Sequence, residues 1–599
     1  MTRAGSVPLT VSEQLERTAR EHAAEPALAW RTPAGWETTS WAGYRDLVFR
    51  AAAGFVRLGV EPGTGVAIHA GNRPEWAIAD LAAIVAGAVP TGIFVTSSVE
   101  QCRYVVDHVE SRVAIADGPE ALAKLLAVRA EVPRLATIVL VEGESDAPGV
   151  LSWRRLLALG AEAGEGELRG RLAAQRPQDV ATLIYTSGTT GTAKGVELTH
   201  ANLLFTAGRA VLLAHRLGHR ERQLSYLPLA HIAEQMLALH LPLQSGACVH
   251  FVPSLEQLRE ALVEVRPTHF FGVPRVWEKL QAAVEQALAA APPLRAQLLA
   301  WARRRALAAG EARQRGHLAD LGFTLADRVV LAKVRARLGL DRAGFCASAA
   351  APISRSTLDF FFSLGLPLLE VYGLSETTGV VTASWPHDYR IGRVGRPLDG
   401  VEMRLAEDGE ILARGPNIFR GYRRDPAATG AAIDADGWFH TGDVGTLDAD
   451  GFLAITDRKK ELLVTSGGKK VAPAPIEKRL QQILGVGHAV LVGDRRHFVG
   501  ALLTLDAAAV PTLAGRVGSA ARTLAEASCC PRIRAFLDRE IARVNEALAR
   551  FESVRAFRIL AAELSIDSGE LTPTLKLKRR VVYEKFAGEI EAIYSAADA

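Results

Sequence analysis

From residue 10 to about 400 the chain alternates short apolar runs with longer amphipathic ones. Val66-Ala67-Ile68-His69 reads as a strand, Pro74-Glu75-Trp76-Ala77-Ile78-Ala79-Asp80-Leu81 as the start of a helix, and Thr91-Gly92-Ile93-Phe94-Val95 as the next strand. This alternation predicts parallel sheets covered by helices. A long helical stretch covers 276–340 and carries Arg303-Arg304-Arg305 in its middle. A solvated helix face is the expected setting of that run, ahead of a phosphate contact.

The pattern changes near residue 400. Asp408-Gly409, Asp436-Gly437 and Asp450-Gly451 each lie between short strand-like runs. Asp-Gly predicts hairpins with type I′ turns, which need positive φ at both central residues. An antiparallel β subdomain is therefore expected over 400–456. The charged stretch Asp457-Arg458-Lys459-Lys460 marks the main boundary, and a smaller α+β tail follows, with helices near 473–484 and 532–550. The expected class is α/β: a large N-terminal domain over 1–456, a junction at 457–460 and a small C-terminal domain over 461–599.

Composition narrows the field. With 599 residues, 49% apolar and 23% charged, the chain has the make-up of a folded multidomain protein, not a disordered one. Its net charge of +4 is too small for this length to make nucleic acid a default partner. The cysteines, Cys102, Cys248, Cys346, Cys529 and Cys530, are sparse and contain no C-x-x-C pair. Neither a disulfide framework nor a zinc site is supported, and a reducing, cytoplasmic compartment fits best. The opening MTRAGSVPLTVSEQLERTAR lacks a signal-peptide core, and no window has the apolar length of a membrane span.

The strongest chemistry follows the strand-like run Val180-Ala181-Thr182-Leu183-Ile184-Tyr185. Thr186-Ser187-Gly188-Thr189-Thr190-Gly191-Thr192-Ala193-Lys194-Gly195 interleaves five hydroxyl residues with three glycines and a lysine. Glycines let backbone N–H groups approach an anion, hydroxyls add neutral donors, and Lys194 adds a charge that matters against a triphosphate. The segment is not a Walker loop. Counted from Gly188, Ala193 stands where the second glycine belongs and Gly195 where the magnesium hydroxyl belongs.

Tyr185-Thr186-Ser187-Gly188-Thr189-Thr190-Gly191-x-x-Lys194-Gly195 resembles the signature loop of the AMP-forming adenylating enzymes, which include acyl-CoA synthetases and luciferases. Other motifs of that family follow in order. Tyr372-Gly373-Leu374-Ser375-Glu376-Thr377 is similar to its Y-G-x-[ST]-E segment, and Trp438-Phe439-His440-Thr441-Gly442-Asp443 to its W-x-x-T-G-D segment. Asp457-Arg458-Lys459-Lys460-Glu461 and Ser466-Gly467-Gly468-Lys469 resemble the hinge and the glycine turn beyond it. Leu571-Thr572-Pro573-Thr574-Leu575-Lys576 resembles the motif of the catalytic lysine, with Leu575 where the family often has glycine. The resemblance runs from about residue 10 to 590.

The resemblance implies a set of roles. Thr186 to Gly191 and Lys194 would cradle the phosphates of ATP. Tyr372, with Gly373, would stack on adenine, and Ser375 would bond phosphate oxygens. Glu376 would hold Mg²⁺, a hard cation that prefers carboxylate oxygen. Asp443 would accept the ribose hydroxyls, with Arg458 as a second ribose or phosphate contact. Lys576 would meet the α-phosphate and the carboxylate in the first half-reaction, with Lys578 as its competitor. Rotation about Lys460 would then exchange Lys576 for the Gly467-Gly468 turn and open a pantetheine tunnel for CoA, which makes the small domain mobile.

Two further segments resemble the long-chain fatty acyl branch. They are Leu227-Pro228-Leu229-Ala230-His231-Ile232-Ala233-Glu234-Gln235 and Phe270-Phe271-Gly272-Val273-Pro274-Arg275-Val276-Trp277-Glu278-Lys279. His231 and Glu234 would share a face if helical. A third metal ligand is absent nearby in sequence, so His231 reads as a polar wall of the carboxylate site. Ala349-Ala350-Ala351-Pro352 replaces the family's usual Gly-Gly-Ala-Pro, so the methyl groups of Ala350 and Ala351 would narrow the wall beside adenine. The implied activity is ATP-dependent activation of a long-chain fatty acid to acyl-AMP and transfer to CoA. The alternative is a ligase that loads a carrier-protein thiol. Such a substrate partitions into membranes, so peripheral membrane contact is compatible with this reading, although no amphipathic anchor stands out.

Overall fold

The computed structural model describes residues 9–186, 193–213, 218–289, 292–314, 321–386, 388–566, 568–572 and 576–595. The chain divides into two compact units. The first comprises Met1–Ala350, Ser356–Met403 and Ala413–His440; the second comprises Ala351–Arg355, Arg404–Leu412 and Thr441–Ala599.

The first unit is organised on an eight-stranded sheet. Its order is Gly421–Tyr422, Lys194–Thr199, Val180–Thr186, Val89–Ile93, Gly65–His69, Val113–Ala116, Thr137–Leu140 and Val150–Ser152. The strands from Val180–Thr186 to Val150–Ser152 run parallel, joined by helical crossovers except between Thr137–Leu140 and Val150–Ser152, which a loop connects. The expected βαβ reading therefore holds, with the second strand at Val89–Ile93, slightly earlier than the sequence pattern placed it. Local chemistry sets the helix starts. Pro74 opens the helix Pro74–Val85, and Ser98 with Gln101 forms a capping box on Val99–His108. Trp76 through Val85 are all buried, which an amphipathic surface helix would not be, because this helix lies inside the main core.

The first unit also contains a five-stranded sheet in the order His269–Gly272, Phe345–Ser348, Leu368–Tyr372, Thr382–Ala383 and Arg396–Pro397. The long helical stretch resolves into Pro274–Ala289, Pro293–Gln314 and Leu321–Ala326, the last continuing through a π turn at Asp327–Leu331 into Ala332–Leu338. The solvated-face expectation fails for Arg303. Its Nε donates to Ser363 Oγ at 2.8 Å, its guanidinium lies 4.9 Å from the Phe360 ring centre, and burial lowers its pKa.

The three Asp-Gly sites are turns, but of another type. Each repeats one pattern: Ala406 N to Glu410 O and Gly409 N to Ala406 O, then the same from Asp434 to Trp438 and from Asp448 to Phe452. Only the glycines have positive φ, at 85°, 81° and 82°. This is a type I turn followed by a left-handed glycine, not type I′. The extra residue needs one position of positive φ, and glycine supplies it without cost.

The second unit carries the antiparallel pair Phe439–Leu447 and Leu453–Arg458 from Thr441 onward, the short pair Leu463–Val464 and Lys470–Val471, and the three-stranded sheet Val486–Val492, Val499–Leu505 and Val554–Ile559. The helices expected near 473–484 and 532–550 appear as Pro473–Leu480 and Pro531–Glu546. Their apolar faces close a separate core with Leu491, Leu503 and Phe557. The buried pair Arg579–Glu477 braces this unit at 2.6 Å. Among the described residues, no helix is long and apolar enough to cross a membrane.

Candidate active site

Strand pairing sets the base of the glycine-rich loop. Val180–Thr186 runs antiparallel to Lys194–Thr199, so Thr186 and Lys194 face each other as register partners. Ser187, Gly188, Thr189, Thr190 and Gly191 lie outside the described residues. The foot of the loop is braced from below. Tyr104 Oη donates to the carbonyl of Ala193 at 2.9 Å, and Tyr185 Oη meets His108 Nδ1 at 2.5 Å. Burial raises the Tyr185 pKa and lowers that of His108, so the phenol keeps its proton and the neutral imidazole accepts it.

The Tyr372–Glu376 segment follows the third strand of the smaller sheet. Tyr372 is buried at its end. Gly373 is required by close approach, because a Cβ there would stand 2.0 Å from the carbonyl oxygen of Gly379. Ser375 opens a single 3₁₀ turn, Ser375–Thr377, in which Thr377 Oγ1 accepts from Leu374 N at 2.9 Å. Glu376 is held at both ends by one segment. Its carbonyl accepts from Phe419 N at 2.8 Å, and its Oε1 accepts from Tyr422 Oη at 2.9 Å. Lys194 Nζ lies 4.6 Å from the centre of the same Tyr422 ring. Lys194 and Glu376 therefore both contact Tyr422 within the first unit, and Thr186 is the cross-strand partner of Lys194.

His231 does not share a helix face with Glu234. It is extended and caps the short helix Ile232–Gln235, its Nδ1 accepting from Ala233 N at 3.2 Å. Glu234 turns inward and braces the preceding loop, accepting from Tyr226 N at 3.1 Å. Burial pushes its pKa up to about 8 against the bonds from Ser225, Tyr226 and Leu227. Among the described residues no cluster of three His, Cys, Asp or Glu could hold a metal. Ala350 is exposed and has φ of 74°, a conformation suited to glycine. Its neighbour Ala351 is also exposed and falls in the second unit.

Asp443, Arg458, Lys460, Gly467, Gly468 and Lys576 all belong to the second unit. Asp443 and Arg458 are cross-strand partners, and Arg458 Nε lies 3.2 Å from Asp443 Oδ1. Asp443 is only 4% exposed, so its charge is oriented by the strand and by Arg458. The neighbouring Gly442 N donates to Glu410 Oε1 at 3.0 Å, and Lys459 Nζ pairs with the same carboxylate at 2.9 Å. Gly467 and Gly468 form the tip of the pair Leu463–Val464 and Lys470–Val471, with Gly468 N donating to Thr465 O at 2.8 Å and φ of 75°. Lys576 N donates to Thr572 Oγ1 at 3.0 Å, and Thr572 N donates to Lys576 O at 2.8 Å. Pro573, Thr574 and Leu575 lie outside the described residues. Lys578 N is spent on Glu570 O at 2.7 Å.

A sequence profile of AMP-binding enzymes matches residues 15–423, and one of the AMP-binding enzyme C-terminal domain matches residues 460–598. The chain belongs to the AMP-binding enzyme family. Within it, the long-chain-fatty-acid–CoA ligase FadD15 of Mycobacterium tuberculosis is 40% identical, over 94% of this chain and 93% of its own. The long-chain-fatty-acid–CoA ligase ACSBG2 of Gallus gallus is 36% identical, over 99% of this chain and 82% of its own. Among solved structures, the adenylation domain of a carboxylate reductase from Mycobacterium chelonae superposes with a TM-score of 0.77 at 21% identity, covering 99% of this chain and 92% of that one. The anthranilate CoA ligase AuaEII in complex with anthranoyl-AMP gives 0.72 at 19% identity, covering 98% and 99%. The adenylate-forming fold expected from the motifs is therefore present.

Sequence reading passed over Tyr422, Tyr104 and His108. Gly421–Tyr422 is a strand of two residues, too short for an alternating pattern to register. Tyr104 and His108 are four apart on the helix Val99–His108 and read as ordinary amphipathic positions until the fold brings them to the loop.

Proposed function

We propose that this protein is an ATP-dependent long-chain fatty acid–CoA ligase. The fatty carboxylate attacks the α-phosphate of ATP, diphosphate leaves, and the resulting acyl-AMP passes its acyl group to the thiol of CoA with release of AMP. A carboxylate alone does not acylate a thiol, because oxide is a poor leaving group; the mixed anhydride supplies a good one. The observation that carries this reading is the near-full-length likeness to ligases of that name; the motifs that contain Thr186, Lys194, Glu376, Asp443, Arg458 and Lys576 support it.

In this reading Thr186, the loop to Gly191 and Lys194 bind the phosphates of ATP, while Tyr372 and Gly373 face adenine and Ser375 a phosphate oxygen. Asp443 takes the ribose hydroxyls, its orientation fixed by Arg458. Glu376 suits Mg²⁺, since such an ion takes one or two carboxylates and otherwise phosphate and water, and a lone half-buried carboxylate meets that need. When bound, the ion would neutralise charge on the triphosphate. His231 would serve as a polar wall of the carboxylate site, and the methyl groups of Ala350 and Ala351 would narrow the wall beside adenine. Lys576 serves adenylation, and a turn of the small domain about Lys460 brings Gly467 and Gly468 into use for the thioester step. A cytoplasmic location, with peripheral contact at the inner membrane face where fatty acids partition, belongs to the same reading.

The test is AMP release with ATP, free CoA and carboxylic acids from short to very long chains. Release and thioester formation with long acids are expected. Acyl-AMP formation without transfer to CoA would point to a protein thiol as acceptor, and no diphosphate release with any acid would overturn the reading.

A further inference from the structure

Tyr422 lies between two opposite charges. Lys194 Nζ is 4.6 Å from its ring centre, and its hydroxyl donates to Glu376 Oε1 at 2.9 Å. The ring is not free to swing. Its backbone pairs with Val196, its N–H donates to Thr429 Oγ1 at 2.9 Å, and Phe419 packs edge-on with centres 4.8 Å apart. Among the described residues neither Lys194 nor Glu376 takes part in an ion pair. An ammonium and a carboxylate that both rest on one side chain attract each other, and if they joined, the pair would have to be broken before either met a ligand. The phenol offers the cation a π face and the anion a neutral hydrogen bond, so each is held while keeping its charge for another partner.

We propose that Tyr422 is a positioning residue that keeps Lys194 and Glu376 apart and aimed, the first at nucleotide phosphate and the second at the divalent cation. This rests on the reading of those two residues given above. Tyr422 itself touches neither substrate nor metal in this role.

The experiment uses the full chain without fatty acid, so that no turnover occurs. ATP binding and Mn²⁺ binding, the latter by its paramagnetic signal, are measured for Tyr422→Phe, Tyr422→Leu, Glu376→Gln and Tyr422→Leu/Glu376→Gln, with thermal melts as the folding control. Phe keeps the ring under Lys194 but loses the hydroxyl. ATP affinity should stay within about twofold while Mn²⁺ binding weakens about tenfold, the value of one hydrogen bond to a charged group. Leu removes both contacts and lets the charges pair, so ATP affinity should fall about tenfold or more, and adding Glu376→Gln should recover part of that loss. In turnover, KM for ATP should rise while KM for the fatty acid stays unchanged. Equal losses for Phe and Leu, or no recovery in the double variant, would overturn the proposal. If Glu376→Gln alone leaves Mn²⁺ binding intact, the assignment of Glu376 is what fails.

Discussion

At the scale of single residues, chemistry and location part company most clearly at Glu234. By sequence it belongs to the segment that resembles an acyl-pocket wall; in the structure it is 1% exposed and serves the loop at Tyr226. Its pKa rises from 4.5 to about 8 because burial disfavours the anion. As pH climbs through that window the unfolded chain loses its proton first, so the folded state is progressively disfavoured. Denaturant titrations at pH 5 and pH 8 should show stability falling for the parent and a flatter profile for Glu234→Gln, whatever constant offset the amide adds. Ala350 makes the reverse point. A left-handed backbone suits glycine and strains alanine, so Ala350→Gly is expected to raise stability by roughly 0.5–1 kcal/mol, read as an increase in Tm. No gain would mean that the alanine methyl makes a compensating contact.

At the scale of elements, the close packing of helices depends on positions that periodicity ignores. Trp41–Arg57 and Trp153–Ala163 approach so nearly that a Cβ on Gly160 would lie 1.7 Å from the carbonyl oxygen of Arg50. Backbone stands in the way, so no rotamer change relieves it. Gly160→Ala should cost about 3 kcal/mol or more by forcing the helices apart, which a urea midpoint would report. Elements with strong local instructions were legible in advance: the helices that open on Pro74, Pro473 and Pro531, the buried parallel strands and the three Asp-Gly turns. The turn type was not, because Asp-Gly fits both type I′ and a type I turn with a following left-handed glycine, and the strand pairing on either side decides between them.

At the scale of the whole molecule, the site residues divide between two compact units: Lys194 and Glu376 in the first, Asp443, Arg458 and Lys576 in the second. A reaction with two chemically distinct steps suits such a division. Lys576→Ala is expected to abolish acyl-AMP formation and diphosphate exchange yet spare thioester formation from supplied acyl-AMP, since a positioned charge in a water-poor site is worth on the order of 3 kcal/mol or more to the barrier it serves. Equal loss of both half-reactions would remove the division of labour.

Residue order alone determined the α/β class, the ordered set of motifs and hence the family, because glycines, hydroxyls and charges at fixed spacing carry their chemistry locally. Tertiary structure decided which side chains share a neighbourhood. Tyr422 reaches Glu376 and Lys194 only because two residues of chain add to the edge of a sheet, His231 and Glu234 take different partners because one caps the helix the other belongs to, and Arg303 donates to Ser363. The first and last of these depend on contacts between residues far apart along the chain, which no local pattern of hydrophobic and polar positions encodes; the His231–Glu234 divergence is local, but it turns on a helix start that the burial of the surrounding loop sets.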